Sequence, residues 1–202
     1  FEVLSKDGLL KIENAVLGVE ALTDSKMYDG QPITAELTGL TGSTVDPDSS
    51  AAHIEYSTDG EEWSDEAPQL TDAGTLNYRI RVTADNYDTA YAEGTLTVSA
   101  RKITFTSETL EKEYDGTALS SADSADQGIT VTGDGFAAGE GVSFEVTGSQ
   151  LIPGTSDNTF TYRLDDGTNA ANYEISVSIG TLTVNSRSNR ETIIVEANSG
   201  QA

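Results

Sequence analysis

Apolar and polar residues alternate along most of this chain. Tyr78, Ile80 and Val82 stand at every second position, as do Ile103 and Phe105, then Val142, Phe144 and Val146. Phe160, Tyr162 and Leu164 repeat the pattern, and so do Ile175, Val177 and Ile179. A period of two places one set of side chains on a buried sheet face and the other in solvent. Helical periodicity is nearly absent. Gly, Asp, Asn, Ser and Thr fill the gaps, and Asp59-Gly60, Asp134-Gly135 and Asp166-Gly167 read as turn centres. Short strands separated by such turns predict an all-β chain built as a sandwich of two antiparallel sheets, in preference to a barrel.

The pattern also repeats itself, at an offset of 86 residues. Lys26, Tyr28, Asp29 and Gly30 recur as Lys112, Tyr114, Asp115 and Gly116. Asn86-Tyr87 recurs as Asn172-Tyr173, Arg101 as Arg187, and Gly94-Thr95-Leu96-Thr97-Val98 as Gly180-Thr181-Leu182-Thr183-Val184. The repeat divides the chain into one copy over 15–100 and a second over 101–187. Each copy opens with an extended strand, near 15–22 and 102–108, and closes on the Gly-Thr-Leu-Thr-Val strand. Residues 1–14 match the closing hairpin of a preceding copy. Residues 188–202 read as a linker and the opening strand of a following one, through Ile193, Val195 and Ala197. The link Ser99-Ala100-Arg101 lacks Gly and Pro, so the reading expects a stiff rod.

Charge narrows the range of partners. With 34 acidic against 11 basic residues the net charge is −23, which repels nucleic acid and anionic membrane surfaces. The acids are spread along the chain, as on a solvated surface. There is no cysteine, which excludes a disulfide framework and a thiolate metal site. No apolar run approaches the ~20 residues of a membrane-spanning helix. Phe1-Glu2-Val3-Leu4 is not a signal peptide, so any targeting signal of a parent protein is expected outside this sequence.

The Lys-x-Tyr-Asp-Gly element, the Asn-Tyr pair and the closing Gly-Thr-Leu-Thr-Val strand resemble the repeats of bacterial surface proteins known as YDG or MBG-type domains. Tyr56-Ser57-Thr58-Asp59-Gly60, Trp63-Ser64, Pro68 and Thr71-Asp72-Ala73-Gly74 in the first copy add to the resemblance. It covers nearly the whole chain. It implies tandem immunoglobulin-like β-sandwich domains in an extracellular protein, secreted or attached to the cell surface, often Gram-positive. The activity implied is that of a stalk or an adhesive module. The second copy departs from the first in its middle, where Gly139-Glu140-Gly141-Val142 stands and the tryptophan segment is missing.

Each candidate residue has a functional and a structural reading. Tyr28-Asp29-Gly30 and Tyr114-Asp115-Gly116 could form a ligand platform. Recurrence favours a turn instead, with Tyr on the edge of the core, Asp bonded to a following N–H and Gly at positive φ. On that reading, removing the Tyr114 ring costs about 3 kcal/mol. Asn86-Tyr87 and Asn172-Tyr173 read as loop corners with a packed ring. Trp63, with Tyr56 and Glu62, is the candidate ligand-binding group, a ring to stack on a sugar beside carboxylates. The competing reading is a ring that covers the sheet. His53 is the only histidine and makes neither a structural zinc site nor a catalytic triad. Asp46-Pro47-Asp48, and Asp157-Asn158 with Asp165-Asp166, offer calcium-type oxygens but do not fit the helix-loop-helix calcium pattern. Lys112 and Asn172 are the pair that position allows for an isopeptide bond. The sequence thus predicts no catalytic residue, no metal and no cofactor. Its expected partners are neighbouring repeats, with host glycan or protein as the alternative, and no nucleic acid. A third alternative is an accessory domain of a larger secreted enzyme.

Overall fold

The computed structural model describes residues 2–6, 9–42 and 51–187. The Asp46-Pro47-Asp48 loop and the strand expected in 188–202 lie outside the described residues. The first half holds β1 (Glu2–Lys6), β2 (Leu9–Glu13), β3 (Leu17–Ala21), β4 (Thr23–Met27), β5 (Ile33–Thr34), β6 (Leu37–Gly42), β7 (His53–Ser57), β8 (Gln69–Leu70), β9 (Gly74–Thr83) and β10 (Ala90–Ser99). The second holds β11 (Arg101–Ser107), β12 (Leu110–Glu113), β13 (Ile129–Gly133), β14 (Val142–Val146), β15 (Gly154–Asp157), β16 (Phe160–Leu164), β17 (Tyr173–Ser178) and β18 (Thr181–Asn185). Among the described residues the helical content is two short 3-10 turns, Ala125–Gly128 and Ala170–Asn172. The chain is all-β.

It divides into two compact units. The first is Phe1–Ile103 together with Gly133–Gly141 and Leu164–Ile175; the second is Thr104–Thr132, Val142–Arg163 and the chain from Ser176 onward. In the first unit, one sheet has the order β4-β10-β9-β7, and β3 pairs antiparallel with β6 in another. Alternation in β9 buries Tyr78, Ile80 and Val82, and in β10 it buries Leu96 and Val98. Leu17, Val19, Leu37 and Leu40 of β3 and β6 pack against that face, so the core lies between two sheets as an immunoglobulin-like sandwich requires. In the second unit, Phe105 meets Phe144 and Tyr162 edge-on, each with ring centroids 5.0 Å apart. Leu182 and Val184 of β18 are buried in the same way as their counterparts in β10.

One device recurs in both copies and explains a repeated glycine. The chain leaves β3 at Leu22 and continues as β4, which pairs in parallel with β10. Likewise it leaves β11 at Glu108 and continues as β12, parallel to β18. At each crossing the backbone lies against a glycine. A Cβ on Gly94 would stand 2.4 Å from the Leu22 carbonyl oxygen, and one on Gly180 2.3 Å from that of Glu108. No side chain fits there. The adjacent threonines fasten the crossing: the Thr95 N–H donates to the Thr23 hydroxyl at 3.3 Å, and the Thr181 N–H to the Thr109 hydroxyl at 3.2 Å.

Candidate functional sites

The Lys-x-Tyr-Asp-Gly element forms the same turn twice. The Tyr28 N–H donates to the Ser99 carbonyl at 2.9 Å, and the Tyr114 N–H to the Asn185 carbonyl at 2.8 Å. Lys26 Nζ lies 2.7 Å from the Asp29 carboxylate, and Lys112 Nζ 2.9 Å from that of Asp115. The Gln31 and Thr117 N–H groups donate to the same carboxylates, each at 2.9 Å. The lysine, then the backbone N–H, hold both carboxyl groups below the usual carboxylate range. Gly30 and Gly116 close the turns at φ 78° and 88°, which glycine adopts freely.

The tyrosine rings of these turns differ. Tyr28 is 5% exposed and Tyr114 38%. The expected core-edge packing therefore does not hold for Tyr114, and the 3 kcal/mol attached to its ring is too large. Within the first unit Tyr28 lies edge-on to Tyr173, with centroids 5.9 Å apart. Both hydroxyls donate to the Glu140 carboxylate, Tyr173 at 2.7 Å. The bond to Glu140, then burial, push the Tyr28 hydroxyl up to about 12 from 10.0. Burial first, and Glu140 as well, raise Tyr173. Arg101 donates from Nε to the Gly135 carbonyl at 2.7 Å and from Nη1 to that of Tyr28 at 2.9 Å. Asn172 is fully buried; its amide donates to Asp72 at 2.8 Å and accepts from the Ala73 N–H at 2.7 Å. Asn86 is exposed at φ 68°, and Tyr87 is half-buried.

The isopeptide candidates have other partners. Lys112 Nζ is held by Asp115 and Thr117, and Asn172 by Asp72 and Ala73. Asn158, one of the calcium-type oxygens, is buried and donates its amide to the Glu108 carbonyl at 3.0 Å and to the Ser121 hydroxyl at 2.9 Å.

The Trp63 region occupies the outer face of the four-stranded sheet. Its loop folds back onto β7: the Tyr56 N–H donates to the Ser64 carbonyl at 2.7 Å, and the Ser64 N–H to that of Tyr56 at 2.9 Å. The Arg81 guanidinium lies over the Trp63 ring, 4.5 Å from its centroid, and Tyr91 stands 5.8 Å away. Arg81 also donates from Nε to Glu55 Oε2 at 2.8 Å. Tyr56 packs against the core, with its ring 6.5 Å from that of Tyr78, so it does not join Trp63 on the surface. The Glu62 N–H donates to the Asp59 carboxylate at 3.0 Å. That carboxylate is held low by the Glu61 and Glu62 N–H groups and the Ser57 hydroxyl. Beside this face a depression of about 330 Å³ is lined by Asp59, Asn77, Arg79, Glu93 and Thr95. Its polar groups pair with one another: Arg79 Nη2 with Glu93 at 2.5 Å, and the Thr95 hydroxyl with Asn77 at 2.9 Å. His53 Nε2 stands 3.5 Å from Asp65 Oδ1 and 3.8 Å from Glu55 Oε1. Sequence reading missed Arg81 and Tyr91 as the neighbours of Trp63. The only signal for them is their outward phase on β9 and β10, where Tyr91 is the register partner of Arg81.

Among the described residues no helix is long and apolar enough to cross a membrane. No protein-family profile matches the chain, so the YDG/MBG resemblance has no such support. No curated protein matches it either. Several solved structures are similar at low superposition. The fibronectin(III)-like modules of Clostridium thermocellum CbhA share 10% identity, with 92% of this chain and 100% of theirs covered and a TM-score of 0.29. Murine CEACAM1b shares 11%, with 85% and 100% covered and a TM-score of 0.26. A structure from a 1.5-MDa bacterial ice-binding adhesin shares 10%, with 87% and 67% covered and a TM-score of 0.30.

Proposed function

We propose that the chain is a non-catalytic spacer built from tandem immunoglobulin-like repeats of the YDG/MBG type, 15–100 and 101–187, in an extracellular bacterial surface or secreted protein such as an adhesin stalk. One observation carries this reading: several of the residues that recur are spent on the backbone in both copies. Asp29 and Asp115 hold turns, Thr23 and Thr109 fasten the strand crossing, and Gly94 and Gly180 admit it. A side chain engaged in its own fold is the kind that every copy of a scaffold needs. Neighbouring repeats are then the principal partners. Broad hydrolase screening of the chain should find no turnover, and a reproducible activity abolished by substituting a single acidic residue would overturn the reading.

A second reading has its own support. Trp63 and Tyr91 present aromatic surface beside Arg81, and Tyr91 is 59% exposed. Such a face suits an adhesive contact with a glycan or with protein. A glycan array decides between the two. Binding lost in both Trp63→Ala and Tyr91→Ala would make the first copy an adhesive module.

A further inference from the structure

We propose that His53, Glu55 and Asp65 form a binding site for one divalent transition-metal ion of the zinc type, on the outer face of the first unit. Among the described residues this is the one group of three or more such side chains whose ligand atoms lie within 4.8 Å of one another. The spacing is informative. At 3.5 Å and 3.8 Å the two carboxylate oxygens stand farther from His53 Nε2 than a good hydrogen bond allows. Ligand atoms of a tetrahedral ion with bonds of about 2.1 Å stand about 3.4 Å apart. The two pairs that include His53 already stand near that spacing, and the Glu55 and Asp65 oxygens, within 4.8 Å of each other, would close on an ion by rotation of the exposed Asp65 side chain.

The backbone under the group is already fixed. His53 and Glu55 lie on one face of β7, two residues apart. Asp65 follows Ser64, which exchanges both backbone hydrogen bonds with Tyr56. Glu55 Oε2 is held by Arg81, which leaves Oε1 to face His53, an arrangement in which an outer partner orients a ligating oxygen. The imidazole selects the class of ion. Calcium and magnesium take oxygen ligands and more of them than are present here, whereas zinc accepts one nitrogen, two carboxylates and a solvent molecule. The exposed side chains of His53 and Asp65 leave the solvent side open. The net charge of −23 favours capture of any cation. The ion would fasten the loop bearing Trp63 to the sheet. The sequence concealed the site because Asp65 reaches His53 only when the loop closes.

The test uses the full chain and zinc chloride. Trp63 is the sole tryptophan and stacks on the arginine that holds Glu55, so its fluorescence reports on the site. A saturable change at one ion per chain is expected, reversed by chelator, with a melting temperature that rises with zinc. Native mass spectrometry should count one bound ion. His53→Ala and Asp65→Asn should each abolish the response. Both side chains are exposed, so the metal-free melting temperature should stay as it is. His53→Gln serves if the alanine variant misfolds. The absence of a saturable response overturns the proposal, as does a zinc response that survives both histidine substitutions. A calcium response as large as that to zinc overturns the assignment of ion class.

Discussion

Tyr28 and Tyr114 begin in the same place and finish differently. Both follow a lysine that clasps the next aspartate, both donate their N–H to the closing strand, and both precede a glycine at positive φ. Yet one ring is buried against Tyr173 and Glu140 while the other is 38% exposed. The Asn-Tyr pairs differ in the same way: Asn172 is fully buried, Asn86 exposed. Arg101 is half-buried and bonded to the Tyr28 carbonyl, whereas Arg187 is exposed. The motif fixes its own backbone, because its bonds span a few residues or reach the adjacent strand. The fate of each outward side chain depends on what else arrives there, and Glu140 arrives beside Tyr28 from 112 residues away.

The largest effect that sharpens this contrast is ring removal. Tyr28→Ala should cost about 3–5 kcal/mol, as for a buried aromatic, and Tyr114→Ala under about 1 kcal/mol. Chemical denaturation of both variants checks this, and equal losses would break the comparison. Next is a change that should treat the copies alike. Gly94→Ala and Gly180→Ala each force a Cβ into backbone, at a cost of about 1–3 kcal/mol. Two unequal melting shifts would show that the crossings are not equivalent.

A smaller effect appears at high pH. The folded-state value of Tyr28 lies above its free value, so the neutral hydroxyl is the bonded form. Its contribution is complete below pH 10 and fades as pH rises towards 12. Tyr28→Phe should flatten the alkaline decline in stability, and an unchanged decline in that variant would show that the Glu140 bond does not couple to folding. The smallest effect is in acid. The Asp29 and Asp115 carboxyls are depressed in the folded state, so their contribution is present above the ordinary aspartate range and is lost as pH falls below it. Both groups are exposed, and melting curves of Asp29→Asn and Asp115→Asn should show a slight and similar loss of acid dependence.

What could be read from the sequence follows the same division. Alternation placed Tyr78, Ile80 and Val82 inside, and the Asp-Gly turns follow from local chemistry. The strand crossing was hidden: Thr23 and Leu22 carry no sign that the chain changes sheets, although the repeated Gly94 and Gly180 marked where it passes. Tyr56, Trp63 and Glu62 are neighbours in sequence but part in the fold. Period two sends Tyr56 to the core, while a loop closed by Ser64 brings Trp63 over Arg81. The meeting of Tyr28, Glu140 and Tyr173, and that of His53 with Asp65, depend on loops that no short pattern encodes.

The strand crossing has a mechanical consequence. Because β4 runs parallel to β10, tension drawn through the first copy pulls the start of β4 and the end of β10 in opposite directions along their shared ladder. The bonds between Thr23–Met27 and Thr95–Ser99 then share the load in shear and do not open one after another. The second copy has the same arrangement over Leu110–Glu113 and Leu182–Asn185, one residue pair shorter. Stretched in an atomic force microscope, the first copy should yield at the higher force. Both should resist more than their modest cores suggest.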